Sequence, residues 1–217
     1  HGDDDISVPW AIAGLARLLD DDGRSLEALP LFAEAVELGA RKLGADSVHH
    51  AVLLQNQARC QFRAGDFANA QANYRRSLAA LTRLWGADHP GLATVRINLG
   101  MLLVAARDWN AARTELQAAE QLLAARESGN PRDLALARIL LVEAALGRGQ
   151  VDAARGWLAR IEDVDLGAPS AVHAEYLRVR ALLRSTEGDD GATRAALIAS
   201  EAAWDAALSP GNPRAVL

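Results

Sequence analysis

One cysteine and one methionine stand among 217 residues, and aromatic side chains make up only 5%. Cys60 has no second thiol to pair with inside the chain, and beside five histidines it completes no zinc set of the usual spacing. Long apolar runs are missing as well. The best of them, Leu99 to Ala106, falls far short of the roughly 20 residues that span a bilayer, so no membrane insertion is expected. Alternating runs of Val, Ile and Thr are absent, which removes the usual signature of strands. A net charge of -5 argues against a surface built for nucleic-acid phosphates. There is no initiator Met and no signal-peptide pattern. His1-Gly2 followed by Asp3-Asp4-Asp5 reads as a linker or cloning scar over 1–7, and the chain is expected to be a piece of a longer protein.

Catalytic patterns are also missing. No G-x-S-x-G elbow and no G-x-x-x-x-G-K phosphate loop occurs. His49 and His50 are adjacent and point to different sides of any helix. His89 sits in a connector, and His173 stands alone. Asp20-Asp21-Asp22 lacks the alternating ligands and closing Glu of a calcium loop and reads as loop acid. Cys60, at helical spacing near Ala64, reads as a buried small hydrophobe. No catalytic residue, metal site or cofactor is expected, and the chain is not read as an enzyme.

What is present in quantity is Ala, Leu and Arg, all strong helix formers. They recur in register. Gly23, Gly65, Arg107 and Gly149 are spaced at 42 residues. Five residues after each comes Ala28, Ala70, Ala112 and Ala154. Seven residues before each comes Ala16, Ala58, Gly100 and Val142, and a fifth copy follows at an interval of 39 with Ala181 and Gly188. Each unit splits into two apolar helical faces. Leu92, Val95, Leu99, Leu102 and Leu103 form one; Trp109, Ala112, Leu116, Ala119, Leu122 and Leu123 form the next. Asn130-Pro131 combines a good N-cap with a proline at the first helical position, and Asp88-His89-Pro90 and Asn212-Pro213 repeat that start signal. The pattern predicts helices over 8–20, 25–41, 48–63, 67–84, 90–105, 109–126, 132–146, 150–161, 170–186 and 190–207. Small residues at facing positions let paired helices approach closely, and the tryptophans, Trp10 apart, fall on predicted core faces. Residues 8–207 are assigned to the repeat domain, and 208–217 to the start of a further helix or a tail.

The third unit reads Gly86-Ala87-Asp88-His89-Pro90, Ala93, Asn98-Leu99-Gly100, then Asp108-Trp109 and Ala112. The second matches through Ala51, Asn56, Ala58, Gly65-Asp66-Phe67 and Ala70. This pattern resembles the tetratricopeptide repeat in its 42-residue kinesin-light-chain variety. Unit four departs with Leu140 in place of Asn, unit one with Gly14 and unit five with Val179. HEAT and armadillo solenoids also have periods near 40; the Gly-x-aromatic-x-x-Ala turn favours the tetratricopeptide reading. The resemblance implies an all-α, right-handed superhelical solenoid of about five antiparallel helix pairs, with first helices lining a concave face.

Carried over position by position, that face comprises Trp10, Ala13 and Arg17, then Val52, Gln55, Asn56, Arg59 and Arg63. It continues with Thr94, Ile97, Asn98 and Met101, then Leu136, Ile139 and Glu143, then Glu175, Arg178 and Leu182. In the family, asparagines at the Asn56 and Asn98 positions grip the backbone of an extended peptide; otherwise they tie neighbouring repeats together. Arg59 and Arg63, four apart, read either as a clamp for a carboxylate or phosphate or as a locally paired basic face. Ile97 and Met101 would take an apolar side chain. The expected partner is a protein or peptide with acidic and hydrophobic groups, and no nucleic acid. The alternative is a ligand-sensing or regulatory domain of a larger bacterial signalling protein, such as a serine/threonine kinase or a transcription regulator. The expected compartment is the cytoplasm, or the periplasm if the parent is membrane-anchored.

Overall fold

The computed structural model describes residues 7–125, 130–162 and 170–208. All regular structure among them is helical. In chain order the helices are α1 (Val8–Asp21), α2 (Ser25–Gly39), α3 (Val48–Arg63), α4 (Phe67–Trp85) and α5 (Leu92–Ala105). They continue as α6 (Trp109–Ala124), α7 (Pro131–Gly147), α8 (Val151–Glu162), α9 (Ala171–Thr186) and α10 (Asp190–Leu208). The chain divides into two units at Ala106 and Arg107. Within each unit, every helix packs on the next in sequence, and first helices also touch: α1 with α3, α3 with α5, α7 with α9. No helix of the described residues is long and apolar enough to cross a membrane.

The predicted helix map holds to within one residue except at three ends. The second helix continues beyond Gly39 as a π-helical turn, Ala40–Gly44. The fifth starts at Leu92, with Gly91 at its N-cap and no side-chain cap. Asp88 therefore does not cap it; His89 stacks on Trp85 at 4.5 Å and its Nδ1 accepts the Gly91 N–H at 3.1 Å. The sixth α-helix ends at Ala124. Linker residues 1–6, Ser128-Gly129, and everything after Leu208, including the Asn212-Pro213 start signal, lie outside the described residues.

The turn between paired helices explains the Gly-Asp signature. The Gly65 N–H donates to the Phe62 carbonyl at 3.0 Å and the Asp66 N–H to that of Gln61 at 2.8 Å, closing α3 in a Schellman motif. The Asp66 carboxylate then accepts the Asn69 N–H at 3.2 Å and caps α4. Asp108 and Asp189 cap α6 and α10 in the same way. The motif needs a left-handed residue, and Gly65 has φ +84°. Arg107 takes that role in the third pair with φ 59°, the one non-glycine at positive φ among the described residues. A Cβ in this region costs roughly 1–2 kcal/mol, partly offset by the greater freedom glycine has when unfolded. Arg107→Gly is therefore expected to raise stability by up to about 1 kcal/mol, seen as a higher thermal midpoint by circular dichroism. A lower midpoint would contradict this account of the turn.

The small-residue columns lie inside the helix packing. Ala16, Ala28, Ala58, Ala70, Ala112, Ala154 and Ala181 are all fully buried. A further column lies on the second helices at Ala35, Ser77, Ala119, Ile161 and Ser200. Ser77 Oγ donates to the Ala51 carbonyl at 2.7 Å, and Ser200 Oγ to that of Ala174 at 3.0 Å. Two repeats thus use a hydroxyl at a small site to reach the backbone of their own first helix. The tryptophans, expected on core faces, are only half-buried. The indole of Trp109 lies so close over Gly147 that a Cβ there would overlap it.

Candidate functional site

In the first unit the predicted groove positions come from α1, α3 and α5. Thr94 and Arg17 are exposed; Gln55, Asn56, Asn98 and Met101 are half-buried. Ile97 is not available: at 3% exposure it belongs to the core. Among the described residues, no other side chain hydrogen-bonds the carboxamides of Asn56 or Asn98. The amide network that does form lies elsewhere. Asn73 Nδ2 donates to Gln57 Oε1 and to Gln61 Oε1, each at 3.0 Å, and Arg76 Nη1 donates to Asn73 Oδ1 at 3.2 Å.

The arginine pair is partly occupied from within. Asp20, read from sequence as a loop acid, is fully buried at the end of α1. It accepts the Ser25 hydroxyl at 2.6 Å. Arg63 Nη1 lies 3.3 Å from Asp20 Oδ2 and 3.4 Å from Asp21 Oδ1. The Arg63 guanidinium therefore ties α3 to α1, as the locally paired reading had it. Arg59 is held more loosely. Its Nε is 4.0 Å from Asp20 Oδ2, and neither Nε nor Nη2 has a hydrogen-bond partner. A buried N–H left unmade costs about 1–3 kcal/mol, so these two enclosed donors burden the fold, while the Arg59 side chain as a whole remains 37% exposed. The acid in the last turn of a first helix, five residues before Ser25, was the signal that sequence reading passed over.

Cys60 sits beneath this cluster, fully buried, its Sγ 3.4 Å from the Ser25 carbonyl. Burial, with Asp20 beside it, pushes the thiol up to about 12. The thiolate that reacts with alkylating agents is thereby suppressed. The folded chain is expected to resist iodoacetamide at mildly alkaline pH and to label fully in denaturant, read by mass spectrometry. Rapid labelling of the folded chain would contradict that burial.

In the second unit, Glu143 and Arg178 are not independent groove charges. They form a salt bridge from α7 to α9, and Arg178 Nε also donates to Glu175 Oε2 at 2.7 Å. Burial raises the Glu175 carboxyl above its ordinary range and lowers the Arg178 guanidinium. Ile139, like Ile97, is core. Glu143, Glu175 and Arg178, read from sequence as groove positions, thus form an internal bridge between neighbouring first helices.

A family model for the tetratricopeptide repeat matches residues 7–83 and 62–125. Among solved structures, BtubC (BKLC) from P. vanneervenii is 24% identical over 71% of this chain, with a TM-score of 0.67. This chain spans 61% of that one. The nearly identical TPR-like repeats of a kinesin light chain from Podosopora anserina are 18% identical, cover 92% of this chain and 96% of their own, and reach a TM-score of 0.75. YrrB, a TPR protein with an unusual peptide-binding site, is 17% identical over 88% of this chain and 84% of its own, with a TM-score of 0.54. A search of the curated proteins finds no match. The solved structures share the fold of stacked helix pairs, and the family model covers more than half of the residues: the chain belongs to the tetratricopeptide repeat family.

Proposed function

We propose that this chain is a protein–protein interaction module that holds an extended segment of a partner against the first helices of its first unit. One observation carries the reading. Asn56 on α3 and Asn98 on α5 occupy the same place in successive repeats, are half-buried, and have no hydrogen bond to another described side chain. A carboxamide has two donors and an acceptor, so it matches a peptide backbone group as a neighbouring strand would. Arg59 lies one turn along α3 from Asn56, and its side chain, 37% exposed, fits an acidic side chain of the same segment. Met101 supplies a half-buried apolar contact on α5. Arg63 serves mainly to hold Asp20, so the carboxylate contact rests on Arg59, with exposed Arg17 nearby in the register.

The test uses an array of peptides that combine Asp or Glu with Leu or Phe, followed by calorimetry on those that bind. Asn56→Ala with Asn98→Ala is expected to weaken binding at least tenfold, about 1.4 kcal/mol, with helicity unchanged. Arg59→Gln is expected to weaken only the acidic peptides, and most at low salt, where screening is least. Equal affinity of all these variants at low salt would overturn the site.

A further inference from the structure

One seam inside the second unit is built differently from its equivalents. In the repeat register, Arg180 and Arg184 on α9 stand where α5 has Leu99 and Leu103 and α7 has Leu141 and Ala145. Those four apolar side chains are all buried, at 6% exposure or less. Arg180 is half-buried and Arg184 is exposed. The seam is internal to the unit: α8 packs on α7, and α9 packs on α10. Yet α8 and α9 come close over less of their length than the equivalent pair α6 and α7. Between them lies a cavity of about 210 Å³, roughly seven times the share of liquid volume that one water takes. Leu158, Ala159 and Leu183 form its apolar wall, and the two leucines belong to the core of the unit.

The charges that line this cavity do not balance. Arg155 Nε donates to Glu187 Oε1 at 2.7 Å, and Arg155 Nη1 donates to Asp152 Oδ1 at 2.9 Å. Arg184 Nη1 reaches the other oxygen of Glu187 at 3.4 Å. Arg180 takes no part in this. Its guanidinium lies over the Tyr176 ring, 5.4 Å from the centroid, and makes no salt bridge or hydrogen bond with another described residue. Three cations thus share two carboxylates, and the one left over is the half-buried Arg180 beside an apolar wall.

We propose that this cavity binds a small monocarboxylate that carries a short apolar chain. The forked guanidinium of Arg180 matches the two carboxylate oxygens, and the chain lies against Leu158, Ala159 and Leu183. One surplus positive charge fits one negative charge. A phosphate dianion would bring a second negative charge against Glu187 with no cation to meet it. The carboxylate is either that of a free acid or the terminal group of a peptide. The site lies in the second unit and does not depend on the peptide contact proposed for the first.

Nuclear magnetic resonance of the whole chain, read at the arginine Nε–H signals and the leucine methyls, tests this. Sodium isovalerate is expected to shift Arg180 and the methyls of Leu158 and Leu183 saturably at millimolar concentrations. Isovaleramide, which has the same shape and no charge, is expected to leave them unmoved. Inorganic phosphate is expected to bind at least tenfold more weakly than isovalerate. Acetyl-Ala-Leu with a free C-terminus, run beside its amide, names the source: tighter binding than isovalerate assigns the site to a peptide terminus, weaker binding to a free acid. Arg180→Gln is expected to weaken binding at least tenfold with unchanged helical circular dichroism. Ala159→Leu fills the cavity from an exposed position and is expected to abolish binding while the fold is kept. Arg41→Gln, in the first unit, is expected to change nothing. The proposal is overturned if isovalerate gives no saturable shift, if the amide or phosphate binds as well, or if Arg180→Gln binds like the parent chain.

Discussion

Arg138→Ala is expected to cost roughly 3–5 kcal/mol of stability, a large share of what a domain possesses. Arg138 lies on α7 between two neighbours. Its Nε and Nη2 donate to Glu120 Oε1 on α6 at 3.1 and 2.8 Å, and its Nη1 to the Arg160 carbonyl on α8 at 2.7 Å. The two side chains are only 14% and 9% exposed. Truncating the cation leaves a desolvated carboxylate and an unmet carbonyl. Arg160 Nη1, 3.9 Å from Glu120, is too far to hydrogen-bond in its place. Replacing both partners with leucine removes the stranded charge and is expected to recover most of the loss. Urea denaturation of the two single variants and the double variant reads the effect. An Arg138→Ala cost below about 1 kcal/mol, the value of a surface pair, would show that the bridge is effectively solvated.

Ala70→Leu and Ala112→Leu are each expected to lower stability by about 1–3 kcal/mol. Ala70 is fully buried where α4 meets α3, and Ala112 is fully buried on α6. Three added carbons cannot be housed at a backbone contact that close without moving α4 from α3, or α6 from its neighbours, and close-packed interiors yield little. The serine column offers a contrast. Ser77→Ala keeps the volume and frees only the Ala51 carbonyl, which still accepts within its helix, so its cost should stay near 1 kcal/mol. Thermal melts in parallel separate the two. Leucine variants as stable as the parent would mean that the pairs have slack where the register demands contact.

The candidate face was legible in part. The repeat spacing placed Asn56 and Asn98 in equivalent positions on neighbouring first helices, and both are found half-buried there. The same spacing put Ile97 in the groove, and it is core instead. A helical wheel cannot resolve this, because one step in sequence turns the side chain by about 100° and the edge of the buried stripe depends on the neighbouring helix. Asp20 was misread for a related reason. Three aspartates before a glycine resemble a polar loop, but Asp20 still lies within the last turn of α1, where Ser25, Arg59 and Arg63 close over it.

By itself the sequence determined the helices, their pairing and the turns between them. Those depend on contacts within a few residues: the 3.6-residue period, the left-handed turn position before an N-cap aspartate, and a small side chain at each close approach. Tertiary structure alone decided which charges are free. Arg63 with Asp20, Arg178 with Glu143, and Arg138 with Glu120 join different helices, and whether such side chains meet is set by how those helices cross and which rotamers fit between them.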